Sequence, residues 1–402
     1  MQLLKNNYYL FLFSIIPISI IIGPSVSLIN ILIIDISFLV TIILQKNFHF
    51  IKNKNFRYFL ILYLYLIFNS FISLDFEVSQ SRNFGFVRII ILFLAFNYFF
   101  LDNNFFKKII FVWTIILSIV ILDVFFESIY GKNILGFGGN SEYGSRIVSF
   151  FKNEPVVGGY LNAFLLIIIS SCLVFVNEKY KNITLFFLFV FLLAIFITGE
   201  RSNSIKAVLG SIVFLIFYKN LSYKFKFFSL AISLIIFSSI IFNSDFLKHR
   251  FINQINSMTD PNYNPYFKLY ESGFEVFKNY PIFGVGNKNY RIETCNNIYQ
   301  NQKYICQTHP HQIYLEFLSE HGIFGTFVII YLIYKIIFSK FRSSIKKQNY
   351  IQIGTGIFLI LTFMPLIPSG AFFTDTALTL FAINLSLFYA CDKKLNLFNN
   401  KN

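Results

Sequence analysis

Residues 109–126 have the sequence IIFVWTIILSIVILDVFF and follow directly after a pair of lysines. A helix rises about 1.5 Å per residue, so a run of this length crosses most of the roughly 30 Å hydrocarbon core of a bilayer. Comparable apolar runs occur at 59–74, 185–198 and 227–242. Their apolar residues follow one another without alternation, which is typical of membrane helices and argues against the strands of a membrane β-barrel.

The composition also indicates a membrane protein. Of the 402 residues, 56% are hydrophobic and only 13% are charged, whereas a soluble domain needs more charge to cover its surface. The net charge of +15 would indicate nucleic-acid binding in a soluble protein. Here much of the positive charge lies in short loops, so we infer no nucleic-acid partner. No small-residue cleavage site follows the first apolar segment, and we expect a retained helix there.

We therefore predict an all-α polytopic membrane protein with about twelve transmembrane helices. The helices form a single integral membrane domain over residues 1–402. The predicted spans are 8–22, 26–44, 57–74, 84–101, 106–126, 160–176, 183–198, 204–218, 226–243, 312–337, 350–367 and 371–390.

Positive charge alternates between the two sides of this arrangement. The short connections on one side hold little beyond Arg82, Arg88, Arg201 and Lys206. The opposite side is rich in lysine and arginine, which predicts that it faces the cytoplasm together with both termini. Its basic residues are Lys5, Lys46, Lys52, Lys54, Arg57, Lys107, Lys108, Lys179, Lys181, Lys219, Lys224, Lys226, Lys340, Arg342, Lys346, Lys347, Lys393 and Lys394.

Two connections on the outer side are long: a first loop at 127–159, and a large loop at 244–311 between the ninth and tenth spans. Long loops in compact proteins are commonly functional or disordered. In the large loop, aromatic residues recur at helical spacing until Pro281, which predicts an amphipathic helix in the outer interface. We expect this partly helical loop to carry part of an active site. The aromatic residues are Phe267, Tyr270, Phe274 and Phe277.

The four cysteines fall into two groups. Cys295 and Cys306 lie in the large outer loop, where a periplasmic location would permit a disulfide; two unpaired thiols are the alternative. Cys172 and Cys391 lie in or beside spans and behave as small apolar residues. Neither a CxxC nor an HExxH pattern occurs, so the sequence indicates no metal site and no cofactor.

The densest polar cluster is 309–325, HPHQIYLEFLSEHGIFG. His309 and His311 flank a proline at the mouth of a span, and two carboxylates follow. Because a neutral imidazole accepts a proton from a hydroxyl near pH 7, His311 is the first catalytic candidate. A pair of solvated interfacial histidines is the simpler alternative.

A second cluster is the outer turn 198–204, TGERSNS, which holds Arg201 near the membrane surface. A cation there requires an anion, and two remain open: Glu200 within the turn, or a phosphate bound from outside. Arg146 adds positive charge at the end of the first outer loop, where a solvated loop is the alternative. Gly284 and Gly286 in YPIFGVGN, 280–287, offer backbone N–H groups to an anion, or form a structural turn.

Taken in order, these segments resemble the O-antigen ligase and O-antigen polymerase superfamily of bacterial envelopes. The family has an arginine-bearing turn, like Thr198–Ser202, and a Pro-hydrophobic-Phe-Gly-hydrophobic-Gly segment, like Pro281–Gly286. It also has a His-Gln type pair followed, after nine residues, by a Gly-x-x-Gly, as at His311 and Gly322. The resemblance covers the motifs from about 140 to 330 and the topology of the whole chain.

The resemblance implies a metal-independent, inverting glycosyl transfer at the outer face of the inner membrane. The donor would be a glycan on undecaprenyl pyrophosphate, and the acceptor a lipid or another glycan. Arg201 would bind the pyrophosphate, His311 would activate or position the acceptor hydroxyl, and Arg146 matches a less well-defined basic position. An O-antigen ligase would use an acceptor such as lipid A-core in lipopolysaccharide synthesis, and the histidine signature favours it. A polymerase would join two lipid-linked repeats.

The sequence departs from the family pattern at Tyr266, where an arginine is usual. Lys268, Arg250 and Arg291 are the candidate replacements, although a lysine does not reproduce the two-pronged binding of an arginine. A transporter of lipid-linked sugars is the alternative from another class. Few charges fall within spans, and no internal repeat is evident, which argues against it.

Overall fold

The computed structural model describes residues 2–139, 146–152, 154–254, 264–365 and 367–399, and the regular structure of these residues is helical. Short 3₁₀ or π-helical segments connect or extend several of the helices. The α-helices are α1 (Gln2–Ser14), α2 (Ile16–Ile22), α3 (Pro24–Gln45), α4 (Lys54–Phe71), α5 (Phe76–Gly85), α6 (Val87–Phe99), α7 (Asn103–Tyr130), α8 (Val157–Phe175), α9 (Lys181–Ile197), α10 (Arg201–Phe217), α11 (Tyr223–Asn243), α12 (Asp245–Lys248), α13 (Pro265–Asn279), α14 (Tyr290–Asn296), α15 (Ile313–Ile333), α16 (Ser339–Lys347), α17 (Tyr350–Thr362) and α18 (Asp375–Ala390).

The chain is a multi-pass helical membrane protein. Within the described residues, six helical stretches are long and apolar enough to cross a bilayer. A seventh candidate combines the end of α11 with the segment after it, and is bent by 103° between them. The twelve spans predicted from the sequence fall on helical residues, but only six of them, or seven with the bent pair, lie on stretches of this kind. Asn7–Ile22, Tyr350–Thr362 and Asp375–Ala390 are apolar but shorter. The six stretches are Pro24–Gln45, Phe76–Phe99, Asn103–Tyr130, Val157–Phe175, Glu178–Ile197 and Ile313–Lys347.

Helix α8 is the centre of the bundle. It is 83% buried over its apolar window, against 39–56% for the other long helices, and it packs against α7, α9, α10, α17 and α18. Small residues permit this close packing, as is usual between membrane helices. At Gly354 of α17, for example, an added Cβ would lie 2.9 Å from the backbone oxygen of Leu166.

Helix α15 is interrupted at Gly322, which has φ 62° and ψ −171°. The segment Pro281–Gly286 crosses this interruption and forms backbone hydrogen bonds with both sides of it. Val285 N–H donates to Ser319 O at 2.9 Å, and Ile323 N–H donates to Pro281 O at 2.8 Å. The two glycine-containing motifs of the sequence are therefore two halves of one packing contact.

Residues 264–311 of the large loop are folded. Val276, Val285, Tyr290 and Tyr304 form a small apolar core of their own, and the Cys295–Cys306 disulfide closes the loop beside it. Helix α13 lies against α15 through its buried small and polar face. Its aromatic face remains uncovered, with Phe267 57% exposed.

Candidate active site

A cavity of about 530 Å³ lies where four helices begin. Its lining includes Gly159 near the start of α8, Asn203 near the start of α10, Ile313 at the start of α15 and Thr376 near the start of α18. Each helix N-terminus carries a partial positive charge that favours an anion nearby. Side chains already cap three of them, Glu200 at α8, Gln312 at α15 and Thr374 at α18.

The arginine-bearing turn forms one wall of this cavity through Glu200. The Glu200 carboxylate accepts hydrogen bonds from Gly158 N–H at 2.6 Å, Gly159 N–H at 3.0 Å and Asn203 Nδ2 at 2.7 Å. It therefore caps the N-terminus of α8. Burial raises the pKa of Glu200, while these hydrogen bonds and the charge of Arg146 lower it. Helix capping is thus a role of Glu200 that its place beside Arg201 in the sequence did not predict.

Arg201 in the turn has two further arginines, Arg146 and Arg250, in its vicinity. Arg250 is buried and donates from Nε and Nη2 to the Gly199 carbonyl at 3.2 and 3.1 Å. The positive charges of Arg146 and Arg201 act on Arg250, and so does the Tyr266 side chain. Nε of Arg146 is buried without a hydrogen-bond partner among the described residues. Like charges held together at a partly buried site favour binding of an anion.

His309 contributes to a further part of the cavity lining, and the ring of His311 lies against it. Their ring centroids are 4.1 Å apart, and the Tyr266 ring lies 6.0 Å from that of His311. Burial lowers the pKa of His309 to about 3, helped by the charges of His311 and Lys288 and opposed by the Ser369 backbone. Burial also lowers the pKa of His311. Both imidazoles are therefore neutral near pH 7 and are able to accept a proton.

His309 lines the cavity directly, whereas His311 lies behind it. Thr308 Oγ1 lies 2.9 Å from Nδ1 of His309. Its Nε2 atom has no hydrogen-bond partner of standard geometry in the described part of the chain. Similarly, Glu200 lines the cavity, and Arg201 lies next to it. Arg201 and His311, the two residues predicted to carry the chemistry, are therefore outside the cavity lining. Each lies within two residues of one that lines it, Glu200 and His309 respectively.

Two lysines in the cavity lining, Lys206 and Lys288, were missed as site candidates from the sequence. Lys206 had a detectable signal, since a cation near membrane depth indicates function. Lys288 had none, because nothing local distinguishes it from an ordinary loop lysine. The Glu316 and Glu320 charges act on Lys288. Both carboxylates also anchor backbone: Glu316 accepts from Phe372 N–H at 2.9 Å, and Glu320 accepts from the Lys288 N–H.

Other predicted candidates lie elsewhere. Lys268 and Arg291 are exposed and outside the cavity lining. The prediction that the N–H groups of Gly284 and Gly286 bind an anion is wrong, because these groups donate to backbone oxygens within the protein. Gly284 N–H donates to Tyr280 O at 3.1 Å, and Gly286 N–H donates to Glu320 O at 2.9 Å. These glycines have a packing role.

Across the described ranges, no group of three or more His, Cys, Asp or Glu side chains is arranged to hold a metal ion.

Part of the sequence that carries this site matches a known protein family. Residues 186–331 match the family model Wzy_C, described as O-Antigen ligase. The match extends from α9 into α15 and contains the Arg201 turn, the large outer loop and the His311–Gln312 pair. It confirms the resemblance to the O-antigen ligase and polymerase superfamily and implies a glycosyl-transferring enzyme. None of the curated proteins matches the chain.

Proposed function

We propose that the protein is an O-antigen ligase of the bacterial inner membrane. It transfers a glycan from undecaprenyl pyrophosphate to an acceptor such as lipid A-core at the periplasmic face. The observation that carries this proposal is that Tyr266 connects an arginine cluster to a neutral histidine pair: it acts on Arg250, which also feels the charges of Arg146 and Arg201, and its ring lies 6.0 Å from that of His311. Arg201, Arg250 and both histidines lie inside the segment that matches the family. Cations suit a pyrophosphate, and a neutral imidazole suits a hydroxyl acceptor.

The proposal includes twelve spans with both termini in the cytoplasm. The first loop, 127–159, and the large loop, 244–311, are then periplasmic. Alternation of basic residues along the chain supports this orientation. In it, the starts of α8, α10, α15 and α18 all lie at the periplasmic side, around the cavity.

The reaction is an inverting displacement. His311 takes the proton of the acceptor hydroxyl as the oxygen attacks the anomeric carbon of the glycan. The bond from that carbon to the pyrophosphate oxygen breaks on the opposite side, and the electron pair leaves with the lipid pyrophosphate. Arg201 and Arg146 stabilise the developing negative charge, in a metal-independent reaction. Arg250 supplies the cation that the family pattern has at Tyr266, because it lies close to both Tyr266 and Arg201.

A polymerase would use the same donor half of the site and a different acceptor, a second lipid-linked repeat. Mass analysis of envelope glycans in a deletion strain separates the two functions. Loss of a ligase leaves uncapped core and accumulates lipid-linked polymer. Loss of a polymerase leaves single repeats on the core.

The chemical roles are tested by His311→Ala and Arg201→Lys. We expect His311→Ala to reduce glycan transfer by roughly 100-fold or more, because a general base contributes about that much. Arg201→Lys should lose most activity, since lysine cannot bind two phosphate oxygens through a planar fork. Transfer is measured by gel analysis of polysaccharide, with membrane levels of each variant as the reference.

Matched controls are His49→Ala and Arg342→Lys, which change exposed residues on the predicted cytoplasmic side. Both should transfer glycan at the wild-type rate. Undiminished product from His311→Ala at normal expression would refute the proposed role of this imidazole.

A further inference from the structure

We propose that Lys206 and Lys288 form the phosphate-binding site of the cavity, and that the anionic head group of a lipid lies between them. This inference rests on the proposed function for the identity of the lipid. It differs in assigning the phosphate contact to two lysines within the cavity, and not to the arginines of the turn alone.

Lys206 provides the first argument. It lies on α10, five positions after Arg201, and lines the cavity together with Asn203. No ion pair or hydrogen bond joins Lys206 to another residue within the described ranges. Glu200, the carboxylate in the same lining, is already bound by Gly158, Gly159 and Asn203. A cation at this depth is costly without an anion, so the cavity is suited to receive one.

Lys288 provides the second cation from the large outer loop. Its backbone is left-handed, with φ 66°, and Glu320 binds its N–H group. Lys288 lines the cavity together with His309, and its positive charge helps to lower the pKa of the His309 imidazole. The loop conformation thus fixes a cation next to His309, on a different element from Lys206.

The remaining polar groups of the cavity are also suited to an anion or a hydroxyl-rich ligand. Oγ of Ser369 and Nε2 of His309 both belong to the lining and lack a standard hydrogen-bond partner within the described residues. The N-termini of α10, α15 and α18 add partial positive charge around the same space, while that of α8 is capped by Glu200. A phosphate between the two ammonium groups would gain charge-assisted hydrogen bonds that water cannot match in a partly buried site.

The apolar part of the lining indicates that the phosphate is attached to a lipid. Leu166, Phe358, Leu361, Leu380 and Phe381 line the cavity beside the polar groups. A free phosphate ion has no apolar atoms to bury against such a surface, whereas the first carbons of a polyprenyl chain would bury apolar area there. Lipid-linked and free phosphate share the same head-group chemistry, and the test therefore includes both.

The test measures binding to the full-length purified protein in nanodiscs. The probes are farnesyl pyrophosphate, inorganic pyrophosphate and farnesol. We expect farnesyl pyrophosphate to bind most tightly, and Lys206→Gln and Lys288→Gln each to raise its Kd by about 10-fold or more. Lys206→Arg should restore binding, because it keeps the charge. Lys132→Gln, a change at an exposed lysine of the first outer loop, should bind as the wild type does.

The outcomes separate this inference from the proposed function. Equal binding by wild type, Lys206→Gln and Lys288→Gln would overturn the lysine site, even if His311→Ala still abolished transfer. Loss of binding in both lysine variants, without any glycan transfer by the wild type, would support the site and refute the function. If inorganic pyrophosphate bound as tightly as farnesyl pyrophosphate, the site would be one for free phosphate, and the lipid assignment would be wrong.

Discussion

At the scale of single residues, position in the chain was a poor guide to role. Glu200 lies next to Arg201, yet its carboxylate caps α8 across a separation of 42 residues. Gly158 makes this contact feasible, because an added Cβ there would lie 2.7 Å from Thr198 Oγ1. Arg250 belongs to no predicted motif, yet it binds the turn at Gly199. The charge around the candidate site is therefore set by residues from several elements.

His309 leads to a prediction about pH and stability. Its pKa falls from an ordinary value near 6.5 to about 3 on folding, so the unfolded chain binds more protons than the folded one between these values. Stability should therefore decrease as the pH falls below 6.5. A drop from pH 6.5 to 5 should cost about 1.6 kcal/mol through this residue. Thermal unfolding in nanodiscs at the two pH values measures the effect.

The control for this prediction is His309→Gln, which removes the titrating group and keeps a polar side chain. Its unfolding should depend less on pH over the same interval. A pH dependence equal to that of the wild type would show that His309 does not titrate on unfolding.

At the scale of elements, the decisive contact is the crossing of Pro281–Gly286 over the interruption of α15. The crossing brings the large outer loop against the helix that follows the histidine pair. It also explains why the sequence has glycines at both places: Gly284 has φ 70°, and Gly322 has φ 62°. An added Cβ at Gly284 would collide with the backbone of Glu320 and His321.

Gly284→Ala should therefore destabilise the protein by at least about 2 kcal/mol, because overpacking against backbone adds to the cost of a left-handed alanine. The measurement is thermal unfolding, together with the yield of monodisperse protein. Gly370→Ala is the matched control, since its added Cβ would meet no atom within 4 Å. Equal stability of both variants would show that the crossing tolerates a side chain.

At the scale of the whole molecule, the helix starts around the cavity define the side of the bundle that carries the candidate site. The proposed topology makes that side periplasmic, and fusions test it. Alkaline phosphatase fused after Asn301 should be active, because the enzyme matures only outside the cytoplasm. Green fluorescent protein fused after Lys347 should fluoresce, because it matures in the cytoplasm.

Exchanging the two reporters between these positions is the control, and both exchanged fusions should be silent. An inactive phosphatase after Asn301 would place the large loop in the cytosol. The cavity would then face the wrong compartment for a periplasmic transfer.

The sequence by itself determined the helical class, the positions of the helices and the family motifs. These depend on local properties: runs of apolar side chains long enough for a bilayer, and signatures contained in a few consecutive residues. The family match over 186–331 confirms the motif-based resemblance. The orientation of the chain remains a prediction from its basic residues.

Only the tertiary structure decided which groups meet at the cavity. Lys206 and Lys288 are far apart in sequence but line the same space, and the Gly284 and Gly286 amides turned out to bond within the protein. Arg250 reaches Gly199 across 51 residues. Such contacts depend on how distant helices pack, and no local pattern of residue types encodes that packing. The helices and motifs of the chain are thus encoded in short stretches of sequence, whereas its candidate binding site forms only when the helices pack into the bundle.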